Sequence, residues 1–367
     1  MLVEHGADLA AQNKDGKTPL HLASRFGKVE VARMLVECGA DLAVQNKDGK
    51  TSLHLALQYK QVEVAHMLVE RGADLAAQNK DGETPLHLAL QYGQVEVAHM
   101  LVERGADVAA QGKDGDTPLH LASQNGEVEV ARMLIERGAD VVAQNEDGET
   151  PLHLASQYGQ VEVARMLVER GADVAAQNKD GETPLHLASQ YGQVEVAHML
   201  VERGADVAYQ NKDGYTPSHL ASQNGEVEVA RMLIERGADV AAQNEDGETA
   251  LHLASKFGEV EVTRMLIECG AGVSAQTKHG ETPLHFASMP DSNEIELYDI
   301  ELQGLAEVSR TLLGQGADVN AKNKDGLTPF FLASQSQYAD DPRLKVLLDH
   351  GAIDSGDGSG ESEMTST

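Results

Sequence analysis

The clearest alternation of apolar and polar positions runs from Thr183 to Tyr215: T-P-L-H-L-A-S-Q-Y-G-Q-V-E-V-A-H-M-L-V-E-R-G-A-D-V-A-Y-Q-N-K-D-G-Y. Thr183 reads as a helix N-cap, and Pro184 suits the first helical position, where its missing N–H costs nothing and its φ is already set. Gly192 can take the left-handed conformation that stops a helix. Val194, Val196, Ala197, Leu200 and Val201 then recur at helical spacing and predict a second helix. Gly204 ends it in the same way, and Asn211-Lys212-Asp213-Gly214 supplies residues able to adopt φ > 0 in a tight, hairpin-like turn. The predicted unit is helix, turn, helix, finger.

Thr18, Thr51, Thr84, Thr117, Thr150, Thr183, Thr216, Thr249 and Thr282 stand at a strict spacing of 33, which marks a solenoid. One such helix pair has too little apolar surface to offset its ordering entropy, whereas a stack buries Leu20, Leu22, Leu35 and their equivalents between neighbours. Small residues at Ala23 and Ala32 let the helices approach closely. With Thr84-Pro85-Leu86-His87-Leu88-Ala89, repeated in most other copies, the chain resembles the ankyrin repeat family, whose hallmark is T-P-L-H-x-A. The resemblance covers nearly the whole chain. It implies an all-α repeat solenoid, an ankyrin-type helix-turn-helix stack with short β-hairpin-like fingers.

Along the chain, residues 1–17 form a partial N-terminal repeat, because Met1-Leu2-Val3-Glu4 matches the end of a second helix. The first full repeat then has only a partial neighbour, so either the first turns fray or residues upstream are missing, and a fragment or a domain boundary is favoured over a deliberate cap. Residues 18–281 hold eight regular repeats. Residues 117–149 and 216–248 differ only at Leu119/Ser218 and Val142/Ala241, which points to duplication of a three-repeat block. Weak points are expected where Lys60 replaces the helix-ending glycine, where Ser218 puts a hydroxyl in an apolar place, and where Ser52 and Ala250 replace proline. The ninth repeat, 282–327, carries a 13-residue insertion between its helices, within 289–303, that reads either as a helix capped by Ser292 or as a mobile loop. A C-terminal capping repeat follows at 328–353 with Phe330-Phe331 in place of Leu-His, and the Gly, Ser, Thr and acid-rich 354–367 is expected to be disordered.

A formal net charge of -30 disfavours nucleic acid, since phosphate binding needs clustered Lys and Arg; a basic protein fits better as partner. The absence of a long apolar run and of a secretory pattern reads as a soluble chain that is cytoplasmic or nuclear, away from membranes and monomeric. Cys38 and Cys269, at the same place in repeats far apart, are expected to be two free thiols.

Histidines recur at one place in nine copies, from His21 to His285. A ladder at helix-packing distance is too wide to share a zinc, so no metal site or cofactor is expected, and the resemblance implies that each histidine braces its own finger. His66, His99 and His198 alternate with arginines and read as a solvated face. Carboxylates such as Glu96, Glu129 and Glu162 form a row and do not converge, and no nucleophile elbow, phosphate loop or His-Glu-x-x-His occurs. No catalytic residue is assigned.

The positions that vary between copies cluster. Phe26, Tyr59, Tyr92, Tyr158, Tyr191 and Phe257 share one register, alternating with Asn125 and Asn224, and are preceded by residues such as Gln157 and Gln190. In ankyrin-like stacks these places and the finger tips line the concave groove. Tyr209 and Tyr215 would add to it, making 158–215 its most aromatic stretch. The resemblance also implies that an asparagine after Ala-Asp-Val braces each finger; it survives only at Asn320. The function expected is a non-catalytic protein–protein interaction scaffold that binds its partner through this groove. The alternative is the ligand-sensing ankyrin arm of a larger NOD-like receptor or signalling protein.

Overall fold

The computed structural model describes residues 8–289, 299–336 and 340–353. Residues 1–7, most of the insertion with Ser292, and the tail 354–367 lie outside the described residues. Among the described residues all regular structure is helical, and the chain divides into two units, Met1–Lys179 and Asp180–Thr367.

The first unit holds α1 (Pro19–Arg25), α2 (Val29–Glu37), α3 (Ser52–Gln58), α4 (Val62–Glu70), α5 (Pro85–Gln91), α6 (Val95–Glu103), α7 (Pro118–Asn125), α8 (Val128–Glu136), α9 (Pro151–Gln157) and α10 (Val161–Glu169). First helices pack on first helices and second on second, giving a two-layer stack. Between the layers Leu53, Leu86, Leu119 and Leu152 are fully buried, as are Ala65, Ala98, Ala131 and Ala164, whose small side chains allow the close helix approach. Burying one such leucine contributes about 2 kcal/mol. Leu22 departs from expectation. It is 37% exposed while its equivalents Leu55 and Leu88 are buried, and Val31 and Met34 beside it are exposed as well; among the described residues no second repeat packs on this side of the first.

The first helices that follow Thr18 and its equivalents through Thr282 start the same way, whereas the helix after Thr328 has Phe331 in the histidine place and lacks the box. Thr18 has extended backbone and its side chain accepts from the His21 backbone N–H, while His21 Nδ1 lies 3.2 Å from the Thr18 backbone N–H and 2.8 Å from Thr18 Oγ1. This is a capping box with histidine in the place usually taken by Glu or Gln. Ser52 and Ala250 also open their helices after such a box, so loss of the proline does not shift the start. Lys60, at φ 55, is the one non-glycine residue with positive φ among the described residues, at a cost of about 1 kcal/mol.

The fingers are turns without a ladder: in one of them Asn46 N–H donates to Lys50 O and Gly49 N–H to Asn46 O, while Asn46 Oδ1 accepts from the N–H groups of Asp48 and Lys50. Gly49 has φ +75, and a Cβ there would lie 2.9 Å from the backbone nitrogen of Lys80 in the next finger, so only glycine fits.

A sequence change at the turn between helices has an energetic consequence. Gln94 Nε2 donates to Leu57 O at 2.6 Å and Gln160 Nε2 to Gln124 O at 3.0 Å, each reaching the preceding repeat. At the same register stands Glu127, and the carbonyl of Leu90 takes its hydrogen from Asn125 Nδ2 instead. Glu127 Oε2 is buried and has no hydrogen-bond partner among the described residues; burial pushes its pKa up to about 7. The folded state therefore holds a proton that the unfolded chain has lost above about pH 4.5, so stability falls as pH rises through this window and the full penalty is present above pH 7. Glu127→Gln is expected to stabilise the protein by about 1–2 kcal/mol at pH 8 and by little at pH 5. Urea unfolding of both proteins at the two pH values checks this; a gap that does not grow with pH contradicts it.

The second unit holds α11 (Pro184–Gln190), α12 (Val194–Glu202), α13 (Pro217–Gln223), α14 (Val227–Glu235), α15 (Ala250–Phe257), α16 (Val260–Glu268), α17 (Pro283–Ser288), α18 (Asp299–Gly314), α19 (Pro329–Ser334) and α20 (Pro342–Asp349). Gly192 and Gly204 take φ of +67 and +95 and end their helices as expected. Ser218 is buried with no partner for its hydroxyl among the described residues. The long α18 replaces the nine-residue second helix of other repeats and packs on α16, α17 and α20. Gly304 lets it do so, since a Cβ there would meet Gly258 O at 3.1 Å. Asn320 bridges to the last turn, its Nδ2 donating to Gly351 O and its Oδ1 accepting from Ile353 N–H, which is the bracing its alanine counterparts cannot supply.

Candidate binding surface

The bracing histidines tie each unit of chain to its own finger. His21 Nε2 lies 3.0 Å from Lys50 O, and His54, His87 and His120 repeat the contact with the carbonyls of Glu83, Asp116 and Glu149. In the second unit His186, His219, His252 and His285 reach the carbonyls of Tyr215, Glu248, Glu281 and Leu327. A carbonyl only accepts, so Nε2 carries the hydrogen and Nδ1 accepts from threonine: the ring is neutral. Both nitrogens of these histidines are occupied by structural contacts. Among the described residues no group of three or more His, Cys, Asp or Glu side chains is arranged to hold a metal, and Cys38 and Cys269 are free thiols. No helix among them is long and apolar enough to cross a membrane.

With the histidines holding them, the finger bases lie beside the ends of the first helices. Lys50 Nζ donates to Gln58 Oε1 at 3.0 Å, which puts the residue before Thr51 and the residue before Tyr59 on one face. In the first unit this face presents Phe26, Tyr59 and Tyr158, 60%, 39% and 47% exposed, and a half-buried Tyr92; Gln157 is half-buried beside Tyr158. Each ring sits at or next to a helix C-cap, on rigid backbone. The Arg25 guanidinium stacks 5.3 Å from the Phe26 ring centre and 4.8 Å from that of Tyr59 in the next repeat.

In the second unit Tyr191 and Phe257 are exposed, Gln190 is half-buried, and Lys256 Nζ lies 5.7 Å over the Phe257 ring. The two finger tyrosines lie differently. Tyr209 is half-buried, edge-on to His186 with ring centres 6.2 Å apart. Tyr215 is half-buried edge-on to His219, and its hydroxyl donates to Glu248 Oε2 at 3.4 Å; burial first and the Glu248 charge second raise its pKa. Both serve the bracing of the fingers as well as any surface they present.

A family model for ankyrin repeats in three copies matches in overlapping stretches, 1–79, 44–112, 72–145, 109–178, 143–211, 173–244 and 237–298, and a single-repeat model matches 279–324. The chain belongs to the ankyrin repeat family. Ankyrin repeats are in general protein–protein interaction modules, typically without catalytic activity. No curated protein matches the chain.

Proposed function

We propose that this ankyrin repeat protein is a non-catalytic scaffold that binds a protein partner through the face built from first-helix ends and finger bases. The observation that carries the reading is the exposed rings at one register, Phe26, Tyr59 and Tyr158 in the first unit and Tyr191 and Phe257 in the second. Aromatic side chains on rigid backbone give large contact area at low entropic cost, and they dominate binding energy where they are buried by a partner. The net charge of -30 speeds encounter with a basic protein and opposes phosphate-rich partners. In this reading the chain works as a monomer in the cytoplasm or nucleus, away from membranes, without metal or cofactor.

The test is affinity capture beside a variant carrying Tyr59→Ala, Tyr158→Ala and Tyr191→Ala, all at exposed rings. A partner held by the wild type should be held at least about 30-fold more weakly by the variant, with helicity and melting unchanged. Equal capture by both proteins removes the face from the argument.

The second reading, a ligand-sensing arm of a larger NOD-like receptor or signalling protein, is favoured by the exposed apolar side chains Leu22, Val31 and Met34 of the first described repeat. An in-frame nucleotide-binding segment upstream would decide for it.

A further inference from the structure

Two repeats of this chain share one sequence apart from two positions, so each is a control for the other. Residues 117–149 and 216–248 differ at Leu119/Ser218 and Val142/Ala241. Val142 is 48% exposed and Ala241 is exposed too, so that exchange changes no core contact. Leu119 is fully buried, as are Leu185 and Leu251, the counterparts of Ser218 in the repeats before and after it. At 218 the buried group is a hydroxyl without a partner among the described residues, and the hydroxyl of Ser222, one turn on along the same helix, is in the same state. In the helices that flank α13 the serine in register with Ser222 is satisfied: Ser189 donates to Leu185 O and Ser255 to Leu251 O, each at 2.6 Å. A serine in place of a buried leucine loses apolar contact and leaves a polar group unpaired, and both losses weaken the repeat.

The bonds from repeat to repeat differ as well. The 117–149 repeat is tied to the one before it by Asn125 Nδ2, which donates to Leu90 O at 2.9 Å, and to the one after it by Gln160 Nε2, which donates to Gln124 O at 3.0 Å. In the 216–248 repeat Asn224 Nδ2 turns back to Leu220 O of its own helix, at 2.9 Å. Glu259 stands in the place of Gln160, and an ionised carboxylate has no hydrogen to give a carbonyl. Glu226 and Glu259 each lie against the turn of the preceding repeat, where their oxygens occupy the space that a Cβ on Gly192 or Gly225 would take. Burial is the main cause that raises the pKa of both, and at Glu259 the charges of Glu261 and Glu226 add to it. The fingers, by contrast, stay linked on both sides: Glu245 N–H donates to Asp213 O at 3.2 Å and Lys278 N–H to Asp246 O at 2.9 Å.

We propose that the repeat 216–248 is a joint built into the second unit: α13 and α14 part from their neighbours on the side of the turn between the helices, before the flanking repeats open, with the linked fingers as the hinge line. A weak repeat inside a stack opens by itself because each repeat couples only to its neighbours. The joint stands between Tyr191 and Phe257, so its opening alters the spacing of these two exposed rings. The joint does not depend on the binding face argued above.

Hydrogen exchange on the full chain tests this, because two stretches of one sequence have the same intrinsic rates away from the substituted positions. At pH 7 the amides of α13 and α14 are expected to exchange at least about 30-fold faster than their counterparts in α7 and α8, and faster than those of α11, α12, α15 and α16. Ser218→Leu gives the repeat the residue of its near-copy; it should remove most of the difference and leave α7 and α8 unchanged. Glu226→Gln combined with Glu259→Gln, with Ser218 kept, should slow exchange in the same two helices by about threefold to tenfold. Equal protection of the two copies overturns the proposal. Equal exchange throughout α11 to α16 does so too, since the stack then opens as one body, and so does a wild-type rate in α13 and α14 of either variant.

Discussion

Acidifying the protein from pH 7 to pH 5 lowers its unfolding free energy by several kcal/mol, before most carboxylates have titrated. The origin is the row of bracing histidines. Burial lowers the pKa of His54 and of His252 to about 4, although the backbone carbonyls of Glu83 and Glu281 partly oppose it. His21, His87, His120, His219 and His285 are lowered in the same direction, again with burial as the largest cause. The ordinary value is 6.5, so on acidification the unfolded chain takes up protons that the folded chain refuses. The contribution is fully present above pH 6.5 and is lost as pH falls toward 4; for His54 alone it amounts to about 2 kcal/mol between pH 7 and 5. The geometry explains the refusal. Protonating Nδ1 of His54 would set a new N–H against the Thr51 backbone N–H, 3.2 Å away, which at present donates to it. Glu127, Glu226 and Glu259, all raised by burial, and the easing of repulsion in a chain of charge -30 act in the opposite sense, but they are three groups against seven histidines, and added salt screens the repulsion. Urea unfolding at pH 7, 6 and 5 in moderate salt should show a midpoint that falls steadily, and nitrogen NMR at pH 5.5 should still show neutral rings protonated at Nε2. A midpoint that holds constant or rises over this range would exclude the histidine mechanism.

What the sequence made legible is chemistry that acts within a few residues or at a fixed repeat offset. Thr183, Pro184 and Leu185 announce a cap, a first turn and a core position because each residue type suits few other places, and the offset of 33 then extends that reading along the chain. The bracing role of the histidines came with the resemblance to ankyrin repeats, while the loss of apolar fit at Ser218 was legible from residue type and register. Contacts that depend on what a neighbouring repeat happens to carry were hidden. Asn125 rather than the residue at 127 bonds the Leu90 carbonyl, Glu127 Oε2 is buried without a partner among the described residues, and nothing in the local run Gly126-Glu127-Val128 signals it. Tyr209 and Tyr215 read from the sequence as additions to the aromatic surface; that their rings also lie edge-on to His186, which braces the same finger, and to His219 of the following repeat was not legible there. Arg25 over Tyr59 was findable: an arginine one place before the aromatic in one copy lies, at the repeat offset, beside the aromatic of the next.

The last repeat hangs on a buried ion pair, and breaking it with Arg343→Ala should cost about 3–5 kcal/mol locally and release α19 and α20 first. Asp341 caps α20 through a bond from Arg343 N–H to its Oδ1 at 2.9 Å, and the same carboxylate receives the Arg343 guanidinium, with Nε 3.0 Å from Oδ1 and Nη2 2.6 Å from Oδ2. Their side chains are 1% and 0% exposed. The remaining nitrogen, Nη1, donates to Met289 O at 2.9 Å at the end of α17, so the pair fastens the final helix to the preceding repeat. An alanine leaves Asp341 buried without its cation, and the carbonyl of Met289 loses its donor; burial of an uncompensated charge is the dominant part of the cost. Arg343→Lys keeps the charge but lacks the fork that spans Asp341 and Met289, and it should fall between wild type and alanine. Replacing both members, Asp341→Ala with Arg343→Met, removes the charge to be compensated and should recover much of the loss, at the expense of the α20 cap. Because repeats couple chiefly to their nearest neighbours, the damage should stay near the C-terminal end. Hydrogen exchange should show lost protection in α19 and α20 with little change in α11 to α14, and brief proteolysis should cut the variant there first. Protection and melting equal to wild type in Arg343→Ala would show that the pair contributes nothing that its apolar surroundings do not already supply.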